Sequence, residues 1–124
     1  MFSWRRPDDL GIRGGTLARC KRSPNCVSSQ VDPSDYAHYI PPIALRGEFS
    51  RVRSAVESMA GATVIEEKSD YLYAEFRSRL LGFVDDFELQ LKDGVVHVRS
   101  ASRLGRRDFG VNRKRVEALR RLLS

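Results

Sequence analysis

Apolar and polar residues alternate with the period of β-strands in the second half of the chain. Four such stretches follow one another, at residues 62–68, 71–78, 83–92 and 95–102. Ser69-Asp70 separates the first stretch from the second, and Asp93-Gly94 separates the third from the fourth. Because strands joined by two-residue turns pair antiparallel, the pattern predicts a four-stranded antiparallel meander.

Stretches with helical spacing lie on either side of these strands. In residues 47–60, Phe49, Val52, Val56 and Met59 recur three and four positions apart, and Gly61 follows as a helix-ending residue. Residues 111–123 repeat apolar positions in the same way. Each helix has one apolar stripe, so both are expected on one face of the sheet. The predicted fold is α+β: a four-stranded antiparallel meander with two helices packed on one face.

The first 46 residues contain no comparable period. Residues 20–46 are interrupted by prolines and hold several large apolar side chains, which predicts a long ordered loop. Residues 1–19 are rich in glycine, and they predict a flexible arm or a strap across the surface. A single domain is therefore expected over residues 20–124.

The expected register makes the core face of the sheet polar at one end. A type I′ turn at Asp93-Gly94 pairs Phe87 with Ser100 and Asp85 with Ser102. In the first hairpin, the same logic pairs Ile65 with Ala74 and Thr63 with Phe76. The polar residues expected on the core face at this end are Ser78, Asp85, Ser100 and Ser102.

The last helix begins at that polar end. At about 100° per residue, Asn112 and Arg115 fall on its apolar side rather than with its charged residues. An inward arginine needs a carboxylate partner because a buried lone charge is costly. The sequence therefore predicts an Asp85–Arg115 pair, bidentate if the geometry permits.

This polar cluster has two interpretations. It is either a satisfied network that fixes the last helix to the sheet, or the lining of a pocket in which Arg115 binds an anionic group. The candidate ligand-binding residues are Asp85, Ser100, Ser102, Asn112, Arg115 and Ser78.

The net charge of +6 is unevenly distributed. Residues 1–22 carry +4 and residues 103–124 carry +6, while the stretch between them carries −4. The open sheet face combines Tyr71, Tyr73 and several basic residues with Glu66, Glu75, Asp86 and Glu88, which favours cross-strand ion pairs over a nucleic-acid track. Weak nucleic-acid binding would instead use the basic segment with Arg106, Arg107, Arg113, Lys114, Arg120 and Arg121.

The other chemistry-bearing residues give little support for catalysis. Cys20 and Cys26 are candidates for structural thiols or a disulfide, and their spacing does not match a zinc site. His38 lacks an identifiable partner, and His97 is expected to be solvated on the open face. No metal and no cofactor are predicted.

Length and hydropathy add further expectations. The 124 residues suit one domain, and the apolar runs are too short for a transmembrane segment. The first residues lack the apolar centre of a secretory signal, so a cytoplasmic location is expected.

Four motifs, in order, give a family resemblance. They are CKRSPNCVSS at 20–29, HYIPP at 38–42, FRSRLLGFVDDFE at 76–88 and VRSASRLGRRDFGVNRKRVE at 98–117. Together they resemble the bacterial and plant family catalogued as domain of unknown function 1499, over roughly residues 20–122. The resemblance implies one compact domain with no assigned reaction or cofactor. Some members are described in envelope or thylakoid settings, which makes an envelope-associated location the alternative.

These observations favour a non-enzymatic binding or assembly module. The alternative is a protein, or an enzyme, that binds a small anionic ligand in a pocket around Asp85 and Arg115. The sequence does not identify the partner; a small anionic ligand and another protein are the candidates, and nucleic acid is disfavoured.

Overall fold

The structure is a computed structural model that describes residues 5–80, 82–105 and 108–124. Six strands and two helices occur in the described part of the chain. In order they are β1 (Cys26–Ser28), β2 (Ile43–Ala44), α1 (Arg51–Glu57), β3 (Ala62–Lys68), β4 (Tyr71–Arg77), β5 (Val84–Lys92), β6 (Val95–Ser102) and α2 (Val111–Leu123). None of these helices is long and apolar enough to cross a membrane.

The strands form one antiparallel sheet of six strands in the order β1-β6-β5-β4-β3, and β2 also pairs with β6. The prediction of four strands was therefore incomplete. The two additional strands, three and two residues long, come from the segment predicted as loop. Such short strands show no recognisable alternation, and they form because the free edge of β6 provides their hydrogen-bonding partners.

The β5–β6 register agrees with the prediction, including the Asp85–Ser102 and Phe87–Ser100 pairs. Its turn residues Asp93 and Gly94 both have positive φ, as a type I′ turn requires.

The predicted register of the first hairpin was wrong beyond Glu66. A bulge between Val64 and Glu66 makes Val64, not Ile65, the partner of Ala74, and pairs Ala62 rather than Thr63 with Phe76. The extra residue turns Ile65 outward and lets Val64 and Ala62 pack against the core.

Both helices pack on the same face of the sheet, as predicted. Helix α1 spans Arg51–Glu57 and is shorter than the predicted 47–60, although Phe49 and Val52 are still buried. Helix α2 has the predicted bounds and buries Val116, Leu119 and Leu123. Between helices and sheet, the rings of Phe76 and Phe87 meet edge to face with centroids 5.2 Å apart.

The other face of the sheet is covered by residues 5–19, called the strap below. Leu17 of the strap is buried against Tyr71 and Tyr73, with Leu10 and Ile12 packed beside them. Residues 1–19 were predicted to be either a flexible arm or a strap across the surface, and the described residues 5–19 form a strap. The expectation of an open, solvated face was consequently wrong for most of the sheet.

Candidate functional site

Arg115 and Asp85 meet at the polar end of the core, as the helical spacing predicted. Arg115 Nη1 lies 2.6 Å from Asp85 Oδ2, and the two side chains are 16% and 12% exposed. The contact joins one guanidinium nitrogen to one carboxylate oxygen, so it does not have the predicted bidentate geometry. The guanidinium also lies over the ring of Phe76, with its central carbon 4.5 Å from the ring centroid.

Asn112 is the centre of the cluster. Its Oδ1 accepts a hydrogen bond from Ser100 Oγ (2.5 Å), and its Nδ2 donates to Ser102 Oγ (2.9 Å) and to the backbone carbonyl of Asn25 (3.2 Å). Both Asn112 and Ser100 are completely buried. The inner cluster, defined as Asp85, Ser100, Ser102, Asn112 and Arg115, is therefore sealed at its centre, while Ser102 and Arg115 at its margins are only partly buried.

Ser78 is not part of this cluster, and its predicted place on the core face was wrong. It is exposed, and its Oγ accepts a hydrogen bond from the backbone N–H of Phe83 within the β4–β5 connection. Strand β4 ends at Arg77, one residue before Ser78, so the alternation of faces does not extend to it.

Two residues of the cluster were missed by the sequence reasoning. Asp108 accepts hydrogen bonds from the N–H groups of Gly110 and Asn112 and from Asn112 Nδ2, so it satisfies N–H groups at the start of α2 from two positions before the N-cap residue, Gly110. An acidic residue near the start of a predicted helix is a recognisable signal for such hydrogen bonds. Asn25 had no such signal because its partners, Ser102 and Gly105, are 77 and 80 positions away.

Asn25 lies in a loop closed by a disulfide between Cys20 and Cys26. Its carbonyl accepts hydrogen bonds from the N–H of Ser102 and from Asn112 Nδ2, and its side chain donates to the carbonyls of Ser102 and Gly105. The disulfide loop is thereby attached to the end of β6 and the start of α2.

His38 fixes the same loop from its other side. Its Nδ1 lies 2.8 Å from Asp35 Oδ2, and its Nε2 lies 3.0 Å from the carbonyl oxygen of Ser23. Burial by itself would lower the pKa of His38, but the hydrogen bonds to Ser23 and Asp35 outweigh it and raise the pKa. Both ring nitrogens face acceptors, so the site favours the imidazolium form. His38 thus has the partner that the sequence could not identify.

The face beneath the strap holds a second polar cluster, which is largely buried. Arg103 donates to Asp86 and Glu75, and the Tyr73 hydroxyl donates to Asp86 Oδ1 (2.5 Å). Burial raises the pKa of Tyr73, and the hydrogen bond to Asp86 adds to that effect. Asp86 points away from the core, as expected, but it is buried beside Arg103 and Tyr73 rather than exposed to water.

Next to it, Arg99 lies between Glu88 and Asp9. Arg99 Nη1 lies 3.6 Å from Glu88 Oε1, a cross-strand ion pair of the kind predicted for this face, and burial raises the pKa of Glu88. Among the described residues, Asp9 Oδ1, Glu88 Oε1 and Arg99 Nε are buried without a hydrogen-bond partner. His97 is half-buried and hydrogen-bonded to Ser29, so its predicted solvation was wrong; burial lowers its pKa.

Two cavities border these clusters. The strap cleft, about 570 Å³, has lining residues of both charges that include Arg99, Arg103, Asp9, Asp86 and Lys21. The helix groove, about 590 Å³, runs between the end of α1 and α2. It is lined by Ser58, Met59, Ala60, Phe76, Val111, Lys114, Arg115, Ala118, Arg121 and Leu122.

Two arginines of α2 that were candidates for nucleic-acid binding are engaged within the protein. Arg113 donates to the carbonyls of Tyr39 and Tyr36, and Arg120 donates to those of Pro42 and Pro41. They attach the proline-rich loop to α2. The candidates Arg106 and Arg107 lie outside the described residues.

In the part of the chain that the structure describes, no group of three or more His, Cys, Asp or Glu side chains is placed so that it could hold a metal ion.

Comparison with known proteins supplies the family but no activity. No curated protein and no solved structure was found to match the chain. The family described as "Protein of unknown function (DUF1499)" matches residues 16–123, nearly the whole chain. The matched region includes the disulfide loop, all six strands and α2 up to its last residue. The chain therefore belongs to the DUF1499 family.

Proposed function

We propose that this protein is a binding module whose helix groove holds a small amphipathic anion, a molecule with an apolar chain and a phosphate or carboxylate head. The observation that carries the proposal is the lining of the groove. Most of its lining residues are apolar, three are cationic, and none of its described lining residues is acidic. This pattern is complementary to an apolar chain that ends in a negative charge.

The three cationic side chains of the groove differ in whether they already have a hydrogen-bond or ion-pair partner within the protein. Arg115 is paired with Asp85. Lys114 and Arg121 have no side-chain hydrogen bond or ion pair among the described residues, although their neighbours Arg113 and Arg120 do. Two uncompensated positive charges beside an apolar surface would gain an interaction from an anionic head group.

The apolar part of the groove is also unusually accessible. Val111 and Leu122, three helical turns apart on α2, are both exposed, whereas Val116 and Leu119 on the adjacent face are buried. Exposed apolar side chains that line a concave surface are typical of binding sites. The sealed centre of the inner cluster then has a supporting role, because it holds Arg115 at the end of the groove.

The strap cleft is the weaker candidate because its charges compensate one another. Arg103 on its lining is bound by Asp86 and Glu75, and Arg99 is paired with Asp9 and Glu88. An anion that entered this cleft would have to compete with carboxylates already in place.

Nucleic-acid binding through α2 has less support for a similar reason. Arg113 and Arg120, which were to contact phosphates, instead bind backbone carbonyls of the loop that contains Tyr36 and Pro42. Fewer free cations means weaker phosphate binding and a smaller dependence on salt.

Calorimetric titration with dodecyl phosphate, kept below its micelle concentration, tests the proposal. We expect binding of dodecyl phosphate, weaker binding of inorganic phosphate, which has no chain, and weaker binding of dodecyltrimethylammonium, which has the opposite charge. Removing both free cations with Lys114→Ala and Arg121→Ala should weaken binding of dodecyl phosphate about tenfold or more, equivalent to about 1.4 kcal/mol.

Lys21→Ala is the matched control because Lys21 is an exposed lysine that lines the strap cleft. It should leave binding of dodecyl phosphate unchanged. Equal affinity for the ammonium analogue, or loss of binding only in the Lys21→Ala protein, would overturn the assignment of the ligand to the helix groove.

A further inference from the structure

We infer that the protein docks on the surface of an anionic lipid bilayer with the end of the molecule at which α2 begins. This inference rests on the proposed function and deepens it, since a bilayer is a source of amphipathic anions. It is carried by two protruding apolar side chains and by the distribution of charge around them.

Leu80 and Phe109 are the most exposed of the large hydrophobic residues near this end. Leu80, in the β4–β5 connection, is 91% exposed, and Phe109, just before α2, is 85% exposed. Both connections leave the same end of the sheet, because Arg77 pairs with Val84 and Asp85 pairs with Ser102. Two apolar tips on adjacent connections therefore project from one end of the protein.

The helix groove extends to that same end. Phe76, the last buried residue of β4, and Val111, the first residue of α2, both line it, and each lies close in sequence to one of the tips. If the tips enter a lipid surface, this end of the groove faces the layer of head groups. A lipid could then reach the groove without passing through bulk water.

The charges around the tips suit an anionic surface. Exposed Arg77 and Arg79 precede Leu80, which lies in the β4–β5 connection, and Lys114 lies one helical turn beyond Val111. The nearest acidic groups are engaged within the protein: Asp85 is paired with Arg115, and Asp108 accepts hydrogen bonds at the start of α2. Basic residues around inserted apolar side chains are the combination that binds anionic membranes.

A bilayer fits these observations better than a folded protein partner does. The tips are separate protrusions beside cations, whereas the core of a protein interface is closely packed and depleted of charged residues. Insertion of single apolar side chains among lipid head groups needs no matching surface, while the surrounding arginines and lysine remain hydrated and near lipid phosphates.

Co-sedimentation with vesicles tests this inference. Vesicles made of equal parts phosphatidylglycerol and phosphatidylcholine should bind the protein, vesicles of phosphatidylcholine alone should bind it much less, and high salt should weaken the binding. The double variant Leu80→Ser and Phe109→Ser should reduce binding to the anionic vesicles about tenfold or more. Neither side chain is buried, so the variant is expected to fold, which its thermal transition would verify.

Tyr36→Ser is the matched control. Tyr36 is 86% exposed but lies on the loop held by Arg113, on the opposite side of α2 from the groove. Its replacement should not change vesicle binding. Absence of binding to anionic vesicles, or equal losses in Tyr36→Ser and in the double variant, would overturn the docking inference.

The double variant also separates this inference from the proposed function. Neither Leu80 nor Phe109 lines the helix groove, so the variant should still bind monomeric dodecyl phosphate. Loss of vesicle binding with retained dodecyl phosphate binding supports docking by the tips. Failure of the unmodified protein to bind dodecyl phosphate would count against the groove, whereas unchanged vesicle binding by the double variant would count against the tips alone.

Discussion

The side-chain amide of Asn112 donates a hydrogen bond to the backbone carbonyl of Asn25, 3.2 Å away, and joins the first turn of α2 to the disulfide loop. Ser100 and Ser102 of β6 are bound to the same asparagine. One buried side chain therefore connects three segments that are distant in sequence, and it should be important for stability.

We expect Asn112→Ala to lower the free energy of unfolding by about 2–4 kcal/mol, because it leaves Ser100 without its buried acceptor and removes the donor to Asn25. Urea denaturation measures this change. Lys114→Ala is the control, since Lys114 is exposed on the same helix and should change the stability by less than about 0.5 kcal/mol. Equal effects of the two substitutions would contradict the role of Asn112.

Arg115→Met should destabilise the protein by about 2–3 kcal/mol, because it leaves the mostly buried Asp85 without its cation while keeping an apolar contact with Phe76. Adding Asp85→Asn should cost less in the Arg115→Met protein than in the unmodified one. A double-mutant cycle by chemical denaturation provides the interaction energy. Strict additivity of the two changes would show that the ion pair contributes no coupling.

The disulfide is expected to stabilise the protein by about 2 kcal/mol, as estimated from closing so short a loop. Thermal unfolding of the double variant Cys20→Ser and Cys26→Ser, compared with the oxidised protein, measures the effect. Asn112→Ala should also cost less in that background, because the open loop no longer holds the Asn25 carbonyl in position. If Asn112→Ala destabilised the variant without the disulfide as much as it destabilises the oxidised protein, the loop would keep its position without the disulfide.

The raised pKa of His38 makes the stability depend on pH in a defined direction. Its imidazolium is stabilised in the folded protein, so its contribution is fully present below the ordinary pKa of 6.5 and is lost as pH rises through the higher folded-state pKa. Denaturation at a series of pH values should show this loss in the unmodified protein and not in His38→Gln.

His97 provides an internal comparison. Its pKa is lowered by burial and by Lys92, so it should reduce stability as pH falls from 6.5 towards its lower folded-state pKa. The two histidines therefore act on opposite sides of that value. If the His38→Gln protein still lost stability as the pH rose above 6.5, a group other than His38 would have to cause that loss.

The predicted elements were most accurate where a period extended over a whole element. The alternation along β5 and β6, with a turn of two residues, was enough to pair Asp85 with Ser102. The spacing in α2 was enough to direct Arg115 towards Asp85. The bulge at Ile65 was not predictable in this way, because an extra residue leaves the local composition of a strand unchanged.

The first 46 residues have no hydrophobic periodicity, so their conformation depends on tertiary contacts. Strand β1 exists because the edge of β6 was available, and the strap is held by pairs such as Arg6 with Glu75 and Gly11 with Glu88. These partners are about 70 or more positions apart. Nothing in the local sequence of a glycine-rich segment indicates which surface it will cover.

The sequence by itself determined the class of fold, the meeting of Asp85 with Arg115 and the family resemblance, because each depends on local periodicity or on continuous motifs. Tertiary structure decided that the polar cluster is sealed around Asn112, that the far face of the sheet is covered, and that Lys114 and Arg121 lie beside an apolar groove. Those properties depend on which distant groups compete for the same hydrogen bonds and charges. Such competition is resolved only when the whole chain is packed.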